Sequence, residues 1–121
     1  MPRIPVRKIA RRAVHIDPNV NIQEAAKILI HNRVREALVD ESSLGLVSMT
    51  EITWAVADGR ADLKVRDIMT RDFLTIDSKE LIFEAVKVLG RSGAKRLVVL
   101  DSGNPWGVIA PEDLIGALTP N

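Results

Sequence analysis

The sequence contains no cysteine, which excludes disulfides, thiolate metal sites and cysteine nucleophiles together. It has no uninterrupted apolar run of the roughly 18 residues that a membrane-spanning helix needs. The basic opening from Met1 to Arg12 is not followed by the long apolar stretch of a secretion signal. Histidine occurs only as His15 and His31, on different elements and without HxxxH or HExxH spacing, so neither a metal site nor a histidine-driven enzyme is expected. Net charge is almost absent: 17 Lys and Arg against 16 Asp and Glu leave +1, too little to draw the whole molecule to a polyanion. The expectation is a soluble cytoplasmic protein that is not an enzyme and has no membrane partner.

What the sequence does have is repetition. Val6-Arg7-Lys8-Ile9 returns as Val65-Arg66-Asp67-Ile68, Ile16-Asp17 as Ile76-Asp77, and Gly45-Leu46-Val47 as Gly107-Val108-Ile109. Between them, Ile22 to Leu29 returns as Ile82 to Leu89. The offset lengthens from 59 residues at Val6 to 62 at Gly45, as indels in loops would produce. With 46% hydrophobic residues in 121 there is material for a packed interior, but a unit of half this size buries too little surface alone. Two similar units related by a pseudo-twofold axis are expected, packed sheet against sheet, with function at the seam.

Each copy alternates strand and helix signals. Ala13 to Ile16 is β-prone and is stopped by Asp17-Pro18-Asn19. Apolar residues at Ile22, Ala25, Ala26, Leu29 and Ile30 have helical spacing. Ala37 to Val39 and Leu44 to Val47 read as a hairpin, and Met49 to Ala57 as a helix. In the second copy the strands are 73–76, 97–100 and 106–109, with helices 81–91 and 111–118. The order β-α-β-β-α therefore occurs twice, a mixed α/β (α+β) fold. Residues 1–57 form the first repeat, with a basic arm over 1–12. The polar stretch 58–64 is the linker, and 65–121 the second repeat.

The arm concentrates charge: Arg3, Arg7, Lys8, Arg11 and Arg12 precede the first acid, Asp17. Such a cluster can bind nucleic acid, yet no aromatic side chain interleaves it, and a basic terminus is ordinarily solvated and partly frayed. Of the two tryptophans, Trp106 is expected to cap the core. Trp54 is expected either in the intrachain core or at a subunit interface.

The strand-to-helix junctions hold the chemistry. They read Gly45-Leu46-Val47-Ser48-Met49-Thr50-Glu51 and Gly107-Val108-Ile109-Ala110-Pro111-Glu112-Asp113. A helix N-terminus offers unpaired N–H groups and the positive end of its dipole, and a carboxylate there can accept from a ribose diol. Ser48-x-x-Glu51 is equally an ordinary capping box, and Pro111 followed by two acids an ordinary helix start.

The duplicated order, these junctions and Ile68-Met69-Thr70 before the second repeat together resemble the cystathionine-β-synthase (CBS) domain pair, or Bateman module, over about residues 6–118. The resemblance implies a stand-alone regulatory module with no required cofactor. It would bind an adenine nucleotide such as AMP, ADP or ATP (S-adenosylmethionine or NAD being further candidates) in the cleft between repeats. It would signal by population shift to another protein, as a homodimer. By the same resemblance, Glu51 and Asp113 would hold ribose, and Ser48 and Thr50 phosphate. Ile9, Ala10, Ile68, Met69 and Thr70 would border adenine, with His15 and Thr75 at matching strand positions. Arg35, Lys95 and Arg96 are phosphate candidates, and Ala110 and Pro111 complete the second junction. Glu51 departs from the usual aspartate, and Ala110 from the usual Ser or Thr, so the Asp113 site is expected to bind ribose better. The rival expectations are a structural oligomerisation module with degenerate sites, and nucleic-acid binding through the arm.

Overall fold

The computed structural model describes residues 3–119. In chain order it comprises a 3-10 turn Val6–Lys8, β1 (Arg11–Arg12), β2 (His15–Ile16), α1 (Ile22–His31), β3 (Glu36–Val39) and β4 (Gly45–Ser48). There follow α2 (Met49–Ala57), α3 (Val65–Ile68), β5 (Leu74–Asp77), α4 (Ile82–Ser92), β6 (Leu97–Asp101), β7 (Asn104–Ile109) and α5 (Pro111–Leu118). The expected β-α-β-β-α order is present twice, as β2 to α2 and as β5 to α5. The first strand signal, Ala13 to Ile16, shortens to His15–Ile16.

The compact units are not cut where the sequence repeats are. One unit runs from Val14 to Arg71; the other joins the segment through Ala13 to the chain from Asp72 onward. Each repeat's leading segment is thus built into the unit formed by the other repeat's strands.

In the Val14–Arg71 unit, β2 pairs parallel with β3 and β3 antiparallel with β4. The parallel pair needs a crossover, which α1 supplies. Asn21 caps α1, its side chain accepting from Glu24 N–H at 2.8 Å. Ala25 and Leu29 on α1, Val39 and Val47 on the sheet, and Ile52 on α2 form the core. The stretch read as a linker is tied into this unit. Ile22 N–H donates to Leu63 O and Val65 N–H to Val20 O, while Val65 is fully buried.

The other unit repeats this plan and adds a strand: its sheet has the order β1-β7-β6-β5. β6 and β7 turn through Ser102 and Gly103, both with positive φ (51° and 81°), the geometry of a two-residue primed hairpin turn. Of the basic arm, residues 4–12 are docked here rather than frayed. Ile82 N–H donates to Ile4 O, Val6 N–H to Glu80 O and Arg7 N–H to Ser78 O, bond for bond the scheme of Leu63, Val65 and Arg66 in the first unit. Val6, the counterpart of Val65, is also fully buried. Trp106 packs on this core as expected, whereas Trp54 is 62% exposed, so its reading as an intrachain core residue is overturned.

Candidate ligand-binding junctions

Both junctions place a β-strand end, a helix start and a leading segment side by side. In the Val14–Arg71 unit, Leu46 of β4 and Thr70 exchange two backbone hydrogen bonds, at 2.9 and 2.8 Å. In the other unit Arg11 and Arg12 pair with Val108 and Gly107. The recurring glycines are what admit these segments. A Cβ on Gly107 would lie 2.7 Å from Arg11 O, and one on Gly45 would run into the Met69 side chain. The pairing sets Ala10 beside Gly107 and Met69 beside Gly45, packs Ile9 and Ala10 on the core that holds Ile109 and Leu114, and leaves Ile68 and Glu51 lining one pocket.

In register, His15 lies opposite Leu38 on β3 and Thr75 opposite Val98 on β6. Following the ladders across, Thr70, Leu46, Leu38 and His15 make one row, and Arg11, Val108, Val98 and Thr75 the equivalent row. Residues in a row share a sheet face. His15 is exposed, and its Nδ1 is 2.8 Å from Asp40 Oδ1. This pairing had no signal in the sequence.

The first-turn acids both reach back to the strand end. Glu51 Oε1 accepts from Ser48 N–H at 2.7 Å, and Thr50 N–H donates to Ser48 Oγ at 3.2 Å. Ser48 and Glu51 therefore form the capping box that their spacing allowed. Asp113 Oδ2 accepts from Ala110 N–H at 2.8 Å. The extra methylene of Glu51 leaves this contact intact, because the longer side chain folds back onto the same backbone donor.

The two junctions differ in what else the acid meets. Arg11 Nε donates to Asp113 Oδ2 at 3.2 Å. The Asp113 side chain is only 18% exposed and that of Arg11 36%, so the pair is partly shielded from solvent screening. Oδ2 is thus held by a backbone N–H and a guanidinium, while Oδ1 has no hydrogen-bond partner among the described residues. Arg11 was not among the site candidates: it lies 102 residues from Asp113, with no motif linking them.

The remaining candidates are less directed. Arg35 and Lys95 are exposed, and Arg35 contributes its carbonyl to Met49 N–H, the start of α2. Arg96 Nη1 donates to Lys95 O at 2.8 Å. Among the described residues no cluster of His, Cys, Asp or Glu could hold a metal ion, and no helix is long and apolar enough to cross a membrane.

A family model for the CBS domain matches residues 6–58 and 65–120. This chain belongs to the CBS domain family, and its two matched stretches make it a CBS domain pair. An uncharacterised protein of Methanocaldococcus jannaschii is 31% identical over 119 residues, which are 95% of this chain and 40% of that protein. The chain thus spans less than half of that relative. Two solved structures share the fold. The CBS domain pair of protein MJ0100, in complex with methylthioadenosine and S-adenosylmethionine, superposes with a TM-score of 0.78 at 23% identity, over 96% of this chain and all of that one. CBSX2 in complex with AMP gives 0.73 at 20% identity, over 94% and 95% of the two chains.

Proposed function

We propose that this CBS domain pair is a regulatory module that binds an adenosine-bearing ligand, with Asp113 as its ribose-binding carboxylate. The observation that carries the reading is the state of that carboxylate. Its rotamer is fixed through Oδ2 by Ala110 N–H and Arg11, and its Oδ1, in the first turn of α5, has no hydrogen-bond partner among the described residues. A preorganised acceptor loses little rotamer freedom when a ligand arrives. In this reading Ile9, Ala10 and Pro111 would offer apolar surface to the ligand, and Arg11 a cation for its phosphate or carboxylate. The solved relatives named above hold AMP, methylthioadenosine and S-adenosylmethionine, whose shared part is the adenosine core. Ligand occupancy would then shift the population of conformations that a regulated protein reads.

Calorimetric titration with AMP, ADP, ATP, methylthioadenosine, S-adenosylmethionine and NAD tests this. A charge-assisted hydrogen bond of about 1.5–3 kcal/mol sets the expected loss for Asp113→Ala at roughly tenfold or more in affinity, with Glu51→Ala affecting it less. If none of these ligands binds at millimolar concentration, the sensor reading fails. Binding that survives Asp113→Ala unchanged removes Asp113 from the site.

The second reading, an oligomerisation module, is favoured by the exposed apolar side chains Ile30, Trp54, Val56, Phe83 and Ile115. Sedimentation equilibrium tests it. Nucleic-acid binding by the arm is disfavoured, because Arg11 is paired with Asp113 and backbone bonds hold Val6, Arg7 and Ala13 to Glu80, Ser78 and Trp106.

A further inference from the structure

The arm and the β5–α4 connection enclose a groove of about 530 Å³, lined among others by Arg7, Lys8, Ser78, Lys79, Asp101 and Trp106. Asp113 is not among its lining residues. Arg7, Lys8 and Lys79 oppose a single carboxylate. Neither lysine has an ion-pair partner among the described residues.

The duplication shows which parts of this groove belong to the scaffold. Aligned through Val6 and Val65 and through the two parallel ladders, Arg7 corresponds to Arg66 and Asp101 to Glu41. Both units make this ion pair, so the pair itself is architectural. In the Val14–Arg71 unit it is close, 3.1 Å between Arg66 Nη2 and Glu41 Oε1. In the groove it is loose: Arg7 Nη2 is 3.8 Å from Asp101 Oδ2.

Two local features account for the looseness. The hydroxyl of buried Ser78 donates to Asp101 Oδ1 at 2.6 Å, which satisfies the carboxylate without the arginine. Pro18 stands at the Ser78 position in the other unit and has no donor. Arg7 instead lies over the Trp106 ring, its Cζ 4.9 Å from the centroid, with Arg12 at 5.0 Å; Leu44 stands at the Trp106 position. The charges diverge as well. Lys8 corresponds to Asp67 and Lys79 to Asn19, so the same scaffold carries a cationic excess in one unit only.

We propose that this groove is a second ligand site and binds a diphosphate group. The groove is larger than one phosphate needs, and it brings three cations to bear on whatever fills it. A bound diphosphate would draw Arg7 from the indole ring toward its oxygens, as a charge-assisted bond outweighs an exposed cation–π contact.

The test uses that movement. In the full chain carrying Trp54→Phe, Trp106 is the only tryptophan, so its emission reports on the groove. Titration with inorganic pyrophosphate is expected to change the emission saturably, beyond the effect of sodium chloride at matched ionic strength. Lys8→Asp with Lys79→Asn, which gives the groove its counterpart's charges at exposed positions, is expected to weaken binding at least tenfold while the circular dichroism spectrum is retained. Asp113→Ala is expected to leave it unchanged, which separates this site from the nucleoside site whether or not the latter exists. No saturable change, a change reproduced by salt, or equal affinity in the doubly substituted chain would overturn the proposal.

Discussion

Gly107 and Gly45 occupy the same place in the two copies, yet alanine should cost very different amounts at each. A Cβ at Gly107 would lie 2.7 Å from the carbonyl oxygen of Arg11 and 3.3 Å from Ala10 Cβ. The first of these is backbone, held in place by the β1–β7 pairing and by the bond from Ala13 N–H to Trp106 O. Relief requires β1 to lift from β7. Overpacking of this kind costs roughly 1–3 kcal/mol, and each strained or lost hydrogen bond adds about 1 kcal/mol. Against this, the stiffer unfolded chain returns about 0.4–1 kcal/mol. The net expectation for Gly107→Ala is a loss of roughly 2–4 kcal/mol. At Gly45 the obstacle is the thioether end of Met69, a flexible side chain that can change rotamer, so the net cost of Gly45→Ala should stay below about 1 kcal/mol.

Urea unfolding followed by circular dichroism measures both. With a mid-range slope of about 2 kcal/mol per molar urea, Gly107→Ala should lower the midpoint by about 1–2 M, and Gly45→Ala by less than about 0.5 M. Equal shifts, or a Gly107→Ala midpoint indistinguishable from that of the parent, would show that the leading segment is not pinned against β7. The substitution carries a functional reading too. Because it displaces the backbone that bears Arg11, ligand affinity at Asp113 should fall along with stability.

Two further outcomes follow from packing and capping. Leu97→Ala, at a fully buried position on β6, should destabilise by about 2–5 kcal/mol, read from the same urea curves. Asn21→Ala removes the acceptor for Glu24 N–H and should cost about 1 kcal/mol, whereas Asn21→Ser, which restores a capping oxygen, should recover most of that loss.

The elements that carry their own periodicity were legible in the sequence. The helices Met49–Ala57 and Pro111–Leu118 begin and end where residue spacing placed them, since an apolar stripe and an N-terminal acid are both local signals. The hairpins were legible for a similar reason: two short apolar runs flank a turn. The exchange of leading segments was not. β1 is two arginines long and holds its place through backbone bonds and burial of the distant Val6, so no alternation marks it. Its one trace in the sequence is the repeated glycine, whose meaning appears only once the opposing backbone is in view. The Arg11–Asp113 contact was equally hidden, since nothing local relates a strand arginine to a helix acid 102 residues away. At the junctions the first-turn acids were legible but their use was not: a capping box and a ribose-binding carboxylate call for the same residue at the same spacing.

An internal duplication separates these uses, because each copy serves as a control for the other. Val6 and Val65 recur with the same burial, Gly107 and Gly45 with a close approach from the leading segment (backbone in one, side chain in the other), and Arg7 and Arg66 with the same type of ion pair. These positions are set by contacts that every copy of the scaffold must make. The acids at 51 and 113 share one such contact, the N-cap backbone N–H, which makes capping the common denominator of both. What is left after that subtraction is specific to one copy: Arg11 beside Asp113, Ser78 pinning Asp101, and lysines where the other unit has Asp67 and Asn19. None of these three is needed to form a CBS fold, because the other copy forms it without them. The duplicated residues thus explain the architecture, and the unduplicated ones are where ligand recognition has to be sought.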